Sequence, residues 1–395
     1  MDSANPRLIQ PASIMLRGSL YSAVYWGVIG VFEPSFNVHL QNLGITGSQI
    51  GLLGAILPFL QLWVAPLYSG WADRLGKRRW MLAGALLVVA VILFIFPWAR
   101  TFPAVLALSL LLALGRSPTV GLGEGVSARM AARHGLEYGR MRMWGSVGFG
   151  IIAILCGYIW SRTGTASMFP AAAVVALLAA LAVGFLEEEP RAQGPAQRFP
   201  LREIRSNRVI VVLLISSFLI GGALWLGVIF GGLYMTDLGG GLEMVGITVG
   251  LPAFLEVPAM YLSGRLVRRW GGTKTLLLGY ALVGAYYLGL AVVETPMLAL
   301  LMALLRGPGF GLFMVSTVVL LERNAPPGWA ATVVALMRAV SFGLAPLLSS
   351  PLGGWIYQHL GPQTMFAFAA ALVGAGALAL WWGREKPAPG SGPAA

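Results

Sequence analysis

Seven charged side chains lie inside long apolar stretches of this 395-residue sequence, where a charge is costly unless it has a partner or a function. They are three acids and four arginines: Glu33, Glu124, Glu256, Arg116, Arg142, Arg306 and Arg338. A carboxylate there can take up and release a proton, because burial disfavours its charge and a nearby cation favours it. Arginine binds carboxylates through two parallel hydrogen bonds. The one surplus cation therefore hints at a substrate that carries a carboxylate or another anion.

Glu124 and Arg142 form the pair whose spacing is most informative. The stretch YGRMRMWGSVGFG carries Arg142 and follows a polar segment, 128–137, which predicts a turn between two antiparallel helices. The midpoint of the pair is residue 133, in the middle of that turn, so both side chains lie at similar depth. They can meet if both face inward, whereas Arg140 points elsewhere and is interpreted as a charge at the membrane edge. The pair is either part of a binding site or a structural ion pair between packed helices.

Glu33 and Glu256 are the acids that we expect to carry a coupling proton, with Glu124 as the third choice. Glu33 directly precedes a proline, and Glu256 lies near the middle of its apolar stretch. The alternative for each acid is a permanent ion pair with one of the arginines in the spans. The two interpretations differ in whether the carboxylate changes its charge while the protein works.

The elements that must position these side chains are membrane-spanning helices. Hydrophobic residues make up 57% of the sequence, charged residues 11%, and the mean hydropathy is +0.77. Soluble domains have about 45–50% apolar and about 25% charged residues. Continuous runs of about 20 apolar residues are typical of helices and not of barrel strands. Twelve such runs are predicted, at 14–37, 47–70, 79–98, 103–127, 140–160, 167–186, 209–235, 245–264, 275–293, 298–321, 331–357 and 364–383.

The net charge of +12 follows the membrane topology and does not indicate nucleic-acid binding. If the N-terminus is cytoplasmic, most of the 27 Lys and Arg residues lie on the cytoplasmic side, and only Arg100 and Arg162 lie on the other. We therefore expect a multi-pass inner-membrane protein with both termini in the cytoplasm. The single cysteine, the three dispersed histidines and the lack of a P-loop motif predict no metal, no cofactor and no ATP hydrolysis.

The chain divides into two similar halves. The pattern Ala-Leu-x-Arg-x-Pro-x-x-Gly occurs around Arg116 in the fourth span and again around Arg306 in the tenth. We predict an N-terminal six-helix bundle, 1–186, a cytoplasmic linker, 187–208, and a C-terminal six-helix bundle with a short cytoplasmic tail, 209–395. Two repeated bundles are typical of secondary transporters, which bind their substrate between the repeats near the membrane midplane.

The loop after the second span reads SGWADRLGKRR and resembles the signature of the major facilitator superfamily. Asp73, Arg74 and Arg78 match that signature, and Ser69 replaces its first glycine. The resemblance covers the whole chain. It implies an all-α fold of twelve transmembrane helices in two pseudo-symmetric bundles. It also implies a cytoplasmic gate built from the aspartate and its basic neighbours.

Within that superfamily, the segment 137–149 is similar to the fifth helix of the lactose permease branch. The resemblance implies that Arg142 and Glu124 contact the substrate and that Phe149 takes the place of an aromatic stacking residue. The full set of candidate substrate contacts is Glu124, Arg142, Phe149, Arg116, Arg306 and Arg338. The second half lacks the branch's network of histidine, glutamate and arginine, so neither that coupling network nor galactoside specificity carries over.

These observations predict a transporter, not an enzyme. We expect a monomeric, proton-coupled symporter of a sugar, a nucleoside or an aromatic carboxylate that works by alternating access. The alternative within transport is a proton-coupled antiporter that exports hydrophobic compounds. A lipid-modifying membrane enzyme would need a nucleophile or a metal constellation that the sequence does not contain, and a receptor of this fold would bind without transport.

Overall fold

The computed structural model describes residues 11–188 and 201–383, and this part of the chain contains helices and no strands. The first half contains α1 (Pro11–Asn42), α2 (Gly47–Leu75), α3 (Arg78–Ile95), α4 (Phe102–Arg116), α5 (Thr119–Arg133), α6 (Tyr138–Thr163) and α7 (Met168–Ala182). After the short α8 (Leu201–Ser206), the second half contains α9 (Arg208–Asp237), α10 (Leu242–Trp270), α11 (Gly272–Leu290), α12 (Pro296–Asn324), α13 (Ala330–Ala339), α14 (Ala345–Leu360) and α15 (Pro362–Gly383). Of the expected linker, residues 189–200 lie outside the described part.

Twelve membrane spans result from these helices, as predicted. Eleven helical stretches of the described chain are long and apolar enough to cross a membrane. The remaining span, the ninth in chain order, is α11, which has a lysine and several glycines, threonines and tyrosines among its apolar residues. The helices run several residues past the predicted apolar runs, because helix formation continues into polar ends. The first helix, for example, continues to Asn42, beyond the predicted end at residue 37.

Two spans are interrupted, and each interruption lies beside a charged candidate residue. The fourth span breaks at Ser117–Pro118, so that Arg116 is the last residue of α4. Proline cannot donate the backbone hydrogen bond that a continuous helix needs. The eleventh span contains a π-helical turn, Val340–Leu344, directly after the helix that carries Arg338. Such turns are rare and frequently mark functional sites.

The two halves are packed together by glycines at one end of the bundle. We call the end with loops 71–79, 129–142 and 265–274 the basic end. At the other end, α2 packs on α14 and α6 packs on α10. A Cβ added at Gly51 would lie 2.9 Å from Gly354 Cα, and one at Gly157 would lie 2.9 Å from Gly246 Cα. These are the small-residue contacts through which membrane helices approach closely.

Four hydrogen bonds join the halves at the same end. Their donor–acceptor pairs are Asn37 Nδ2 to Ile229 O at 2.9 Å, Trp225 Nε1 to Gly54 O at 3.1 Å, Gln41 Nε2 to Asp237 Oδ1 at 3.0 Å, and Ser48 N to Gln358 Oε1 at 3.0 Å. Toward the basic end, a Cβ added at Gly70 of α2 or Gly139 of α6 would have no neighbour within 4 Å. The close backbone contacts and these hydrogen bonds between the halves thus lie at the end opposite the basic end.

Replacing Gly51 by alanine is expected to lower the thermal unfolding temperature of the purified protein. The new methyl group would clash with the backbone of Ser350 and Gly354, and such overpacking costs about 1–3 kcal/mol. Gly84→Ala is the matched control, because this helical glycine has no neighbour within 4 Å of an added Cβ. Alanine there should leave stability unchanged or raise it slightly. Equal melting temperatures for the two variants would contradict the close packing.

Candidate substrate site between the two halves

The Glu124 carboxylate is shared by two arginines from opposite halves of the protein. Its Oε1 lies 3.1 Å from Arg142 Nε, and its Oε2 lies 3.2 Å from Arg338 Nη1. Glu124 is on α5 and Arg142 on α6, both in the first half, whereas Arg338 is on α13 in the second half. The structure therefore brings together the pair expected from the hairpin and adds a third member from across the interface.

The turn between α5 and α6 and the neighbouring α1 fix the position of Arg142. The turn closes through Gly135, with φ of 65°, and through a 2.8 Å bond from Leu136 N to Ala131 O. The Arg142 guanidinium lies over the Trp26 ring, 4.1 Å from its centroid. A Cβ at Gly145 would lie 2.6 Å from Trp26, so only glycine leaves room for this ring.

Arg140 has a different place from Arg142. Its side chain is exposed at the start of α6, whereas Arg142 is partly buried and contacts α1 and α5. The two residues differ by two positions, about 200° around a helix, and therefore face opposite ways. Arg140 is thus a charge at the basic end, and Arg142 is a charge at the interface between the halves.

A second ion pair, Glu33 with Arg116, lies deeper in the first half. Glu33 Oε2 is 2.8 Å from Arg116 Nη2, and the guanidinium also lies 5.0 Å from the Phe32 ring centroid. Both charged side chains line a cavity of about 90 Å³, together with Asn37 and Trp225. Of the two expectations for Glu33, the structure shows the ion pair; it also shows that the pair has a cavity beside it.

Glu256 differs from the other two acids. In the described residues it has no cation within 4.0 Å, although it is partly buried on α10. Arg142 and Arg306 are the cations that interact with it electrostatically. Glu256 thus lies in the field of two arginines, and no direct ion pair among the described residues neutralises it.

The remaining predicted residues lie farther from this cluster. Phe149 is two helical turns from Arg142 on the same face of α6, displaced by about 10 Å along the axis. Asp73 forms an ion pair with Arg78 inside its own loop, and Arg74 is exposed in the last turn of α2. In this conformation the ion pair of Asp73 and Arg78, the predicted gate residues, lies within the first half.

Two phenylalanines beside the arginines were missed by the sequence interpretation. Phe310 follows Arg306 by four residues on α12, and Phe342 follows Arg338 by four residues. Their ring centroids are 6.4 Å apart, with the rings inclined by 63°. The arginine-to-phenylalanine spacing of one helical turn, repeated in two adjacent spans, was the signal that could have identified them.

A model of the MFS_1 like family matches residues 14–368. The chain belongs to this family. It is a multi-pass membrane protein of the major facilitator fold.

Relatives of this chain are transporters. It is 27% identical over 373 residues to the maltose permease of Geobacillus stearothermophilus, covering 93% of this chain and 95% of that one. It is also 27% identical over 369 residues to the probable 3-phenylpropionic acid transporter of Escherichia coli (strain K12), covering 87% and 92%. The solved structure of a point mutant of the nucleoside transporter NupG superposes with a TM-score of 0.83 at 18% identity, covering 94% and 100%.

A double-mutant cycle with Glu124→Gln and Arg338→Gln tests the contact across the interface. We expect a coupling of about 0.5–1 kcal/mol in the free energy of unfolding, since the Arg338 side chain is 53% exposed and water weakens the ion pair. A parallel cycle with Arg140→Gln should show no coupling to Glu124, because Arg140 is exposed elsewhere on α6. Additive effects in both cycles would argue against the shared carboxylate.

Proposed function

We propose that this protein is a proton-coupled symporter that carries a small organic solute by alternating access. The observation that carries the proposal is the Glu124 carboxylate, held by Arg142 from its own half and by Arg338 from the opposite half. A polar contact that spans two bundles has to break and re-form whenever the bundles rock against each other. A solute that binds between the halves at this place would therefore bind one relative position of the halves more tightly than another, and would shift the equilibrium toward it.

The site combines a fixed part with a part that moves. Arg142 is fixed, because Trp26 lies under its guanidinium and Glu124 accepts from its Nε. Arg338 reaches across the interface through a single ion pair. We propose that the solute replaces Glu124 as the partner of Arg338 and keeps contact with the fixed arginine side, so that binding draws the two halves together at the basic end.

The coupling proton is assigned to Glu256. Glu33 has a direct ion pair with Arg116, whereas the described residues provide no cation within 4.0 Å of Glu256. A charged carboxylate without a direct partner inside a membrane span is costly, and protonation removes that cost. Glu256 also interacts electrostatically with Arg142 and Arg306. We therefore propose that the charge of Glu256 and the binding of solute beside Arg142 affect each other.

The topology and the gate complete the proposal. We propose that the basic end and both termini lie on the cytoplasmic side of the inner membrane, since basic loops favour that side. Asp73, Arg74 and Arg78 would then clamp the halves together on the cytoplasmic side when the protein opens outward, and would be released in the conformation described above. The protein is proposed to work as a monomer.

Replacing Glu256 by glutamine should separate proton transport from solute transport. Proteoliposomes would be tested with maltose, uridine and 3-phenylpropionate, and the solute that shows counterflow would be used. We expect Glu256→Gln to keep counterflow, which needs no net proton movement, and to lose solute-driven proton uptake. Glu322→Gln is the control, because this exposed acid lies at the end of α12 and should keep both activities.

The same measurement distinguishes the proposed function from its rivals. Solute accumulation driven by an inward proton gradient supports symport, and expulsion driven by the same gradient would instead show antiport. Proton uptake that survives in Glu256→Gln would refute the assignment of the coupling acid. A protein that binds one of the solutes without any counterflow would be a receptor.

A further inference from the structure

The charges around the central interface do not balance. Glu33 and Arg116 neutralise each other beside their own cavity and can be set aside. The ion-paired group at the interface between the halves then consists of one acid and two arginines: Glu124, Arg142 and Arg338. With the acid charged, this group has one positive charge in excess. An unbalanced positive charge within a membrane protein is costly and is stabilised by an anion. At a binding site, the ligand can be that anion.

Among the three ion-paired arginines Arg116, Arg142 and Arg338, Arg338 has the most exposed side chain. Its side chain is 53% exposed, against 30% for Arg142 and 17% for Arg116. It makes one ion pair, through Nη1, although a guanidinium has five N–H donors in a planar fork. It also lies just before the π-helical turn of the eleventh span. The surplus charge is therefore assigned to a side chain that can still accept a carboxylate.

An apolar aromatic surface lies next to this arginine. The helices α12 and α13 run in opposite directions, so Phe310 lies nearer the basic end than Arg306, and Phe342 lies farther from it than Arg338. The two rings are therefore placed between the two arginines along the axis, in agreement with their 6.4 Å centroid separation. A ligand whose charged group binds Arg338 would lay its body on these rings.

The polar notch beside Glu124 is too small to receive a sugar ring. A notch beside Glu124 is lined by Tyr21 and Ser127, whose hydroxyl groups are buried without a hydrogen-bond partner. Its volume of about 10 Å³ has room for about one water molecule. These hydroxyls are suited to hold a water molecule next to the Glu124 and Arg142 pair. They do not form the extended array of donors and acceptors that a polyhydroxylated solute requires.

We infer that the substrate is an organic monocarboxylate with an aromatic or hydrocarbon body, whose carboxylate binds Arg338 and whose body packs on Phe310 and Phe342. The inference rests on the proposed transport function and adds the substrate class. The carboxylate displaces Glu124 from Arg338, supplies the missing negative charge and leaves Glu124 to Arg142. Proton uptake with the anion then makes the transported pair neutral overall.

The test compares 3-phenylpropionate with 3-phenylpropanamide, which has the same body without the charge, and with maltose and uridine. Counterflow into proteoliposomes is measured for each. The unmodified protein should prefer the carboxylate over the amide by about tenfold or more, as expected for a charge-assisted hydrogen bond. Arg338→Gln should abolish that preference, and Arg338→Lys should keep part of it because the charge remains. Arg140→Gln is the matched control and should keep the full preference.

The aromatic surface is tested separately with Phe342→Ala and Phe310→Ala. Each should weaken binding of the carboxylate and the amide by the same factor, since the body and not the charge is affected. Thermal unfolding of every variant in detergent shows whether it is folded. Arg338→Lys keeps the test decisive if the glutamine variant does not fold.

The outcomes separate the two proposals. Counterflow of maltose or uridine without counterflow of the carboxylate overturns the substrate class and leaves the transport function intact. Equal transport of carboxylate and amide, or a preference that survives in Arg338→Gln, also overturns it. A folded protein that shows no counterflow with any of the four compounds counts against the transport function itself, and the substrate class falls with it.

Discussion

The structure depends on one constraint: a charge within a membrane span needs a partner, since lipid supplies none. Three acids and four arginines meet this requirement in three different ways. Glu33 has a direct partner on a neighbouring helix, Glu124 has two partners on opposite halves, and Glu256 has only the more distant field of its neighbours. We propose that the three acids differ in their tasks accordingly: the Glu33 pair holds helices together, the shared Glu124 carboxylate links the two halves, and Glu256 exchanges a proton.

The packing of the halves complements this arrangement of charge. At one end, backbone approaches at Gly51 and Gly157 bring the bundles into contact that no larger residue would allow. These close contacts lie at the end opposite the basic end, whereas the Glu124–Arg338 contact lies toward the basic end.

The surplus cation links the site to its proposed cargo. In an isolated cluster an extra arginine would be unfavourable, and Arg338 is exposed enough to keep part of its hydration. An anionic ligand can neutralise that charge, while Phe310 and Phe342 receive its apolar part. The excess positive charge, the exposure of Arg338 and the neighbouring aromatic surface thus all favour an organic monocarboxylate with an apolar body. The relatives transport solutes of different classes, so the choice among those classes comes from the residues of this chain.

The sequence by itself determined the twelve spans, the two halves and the Glu124–Arg142 pair. Apolar runs of the length of a bilayer specify helices, and the depth of two residues around a short hairpin follows from counting. The tertiary structure alone decided that Arg338 reaches Glu124 across 214 positions, that Glu33 meets Arg116, and that Phe310 meets Phe342. Those contacts depend on how each helix is rotated and on how closely the halves approach. Rotation and approach are set by glycine contacts and by breaks in the fourth and eleventh spans, which periodicity along one helix does not reveal.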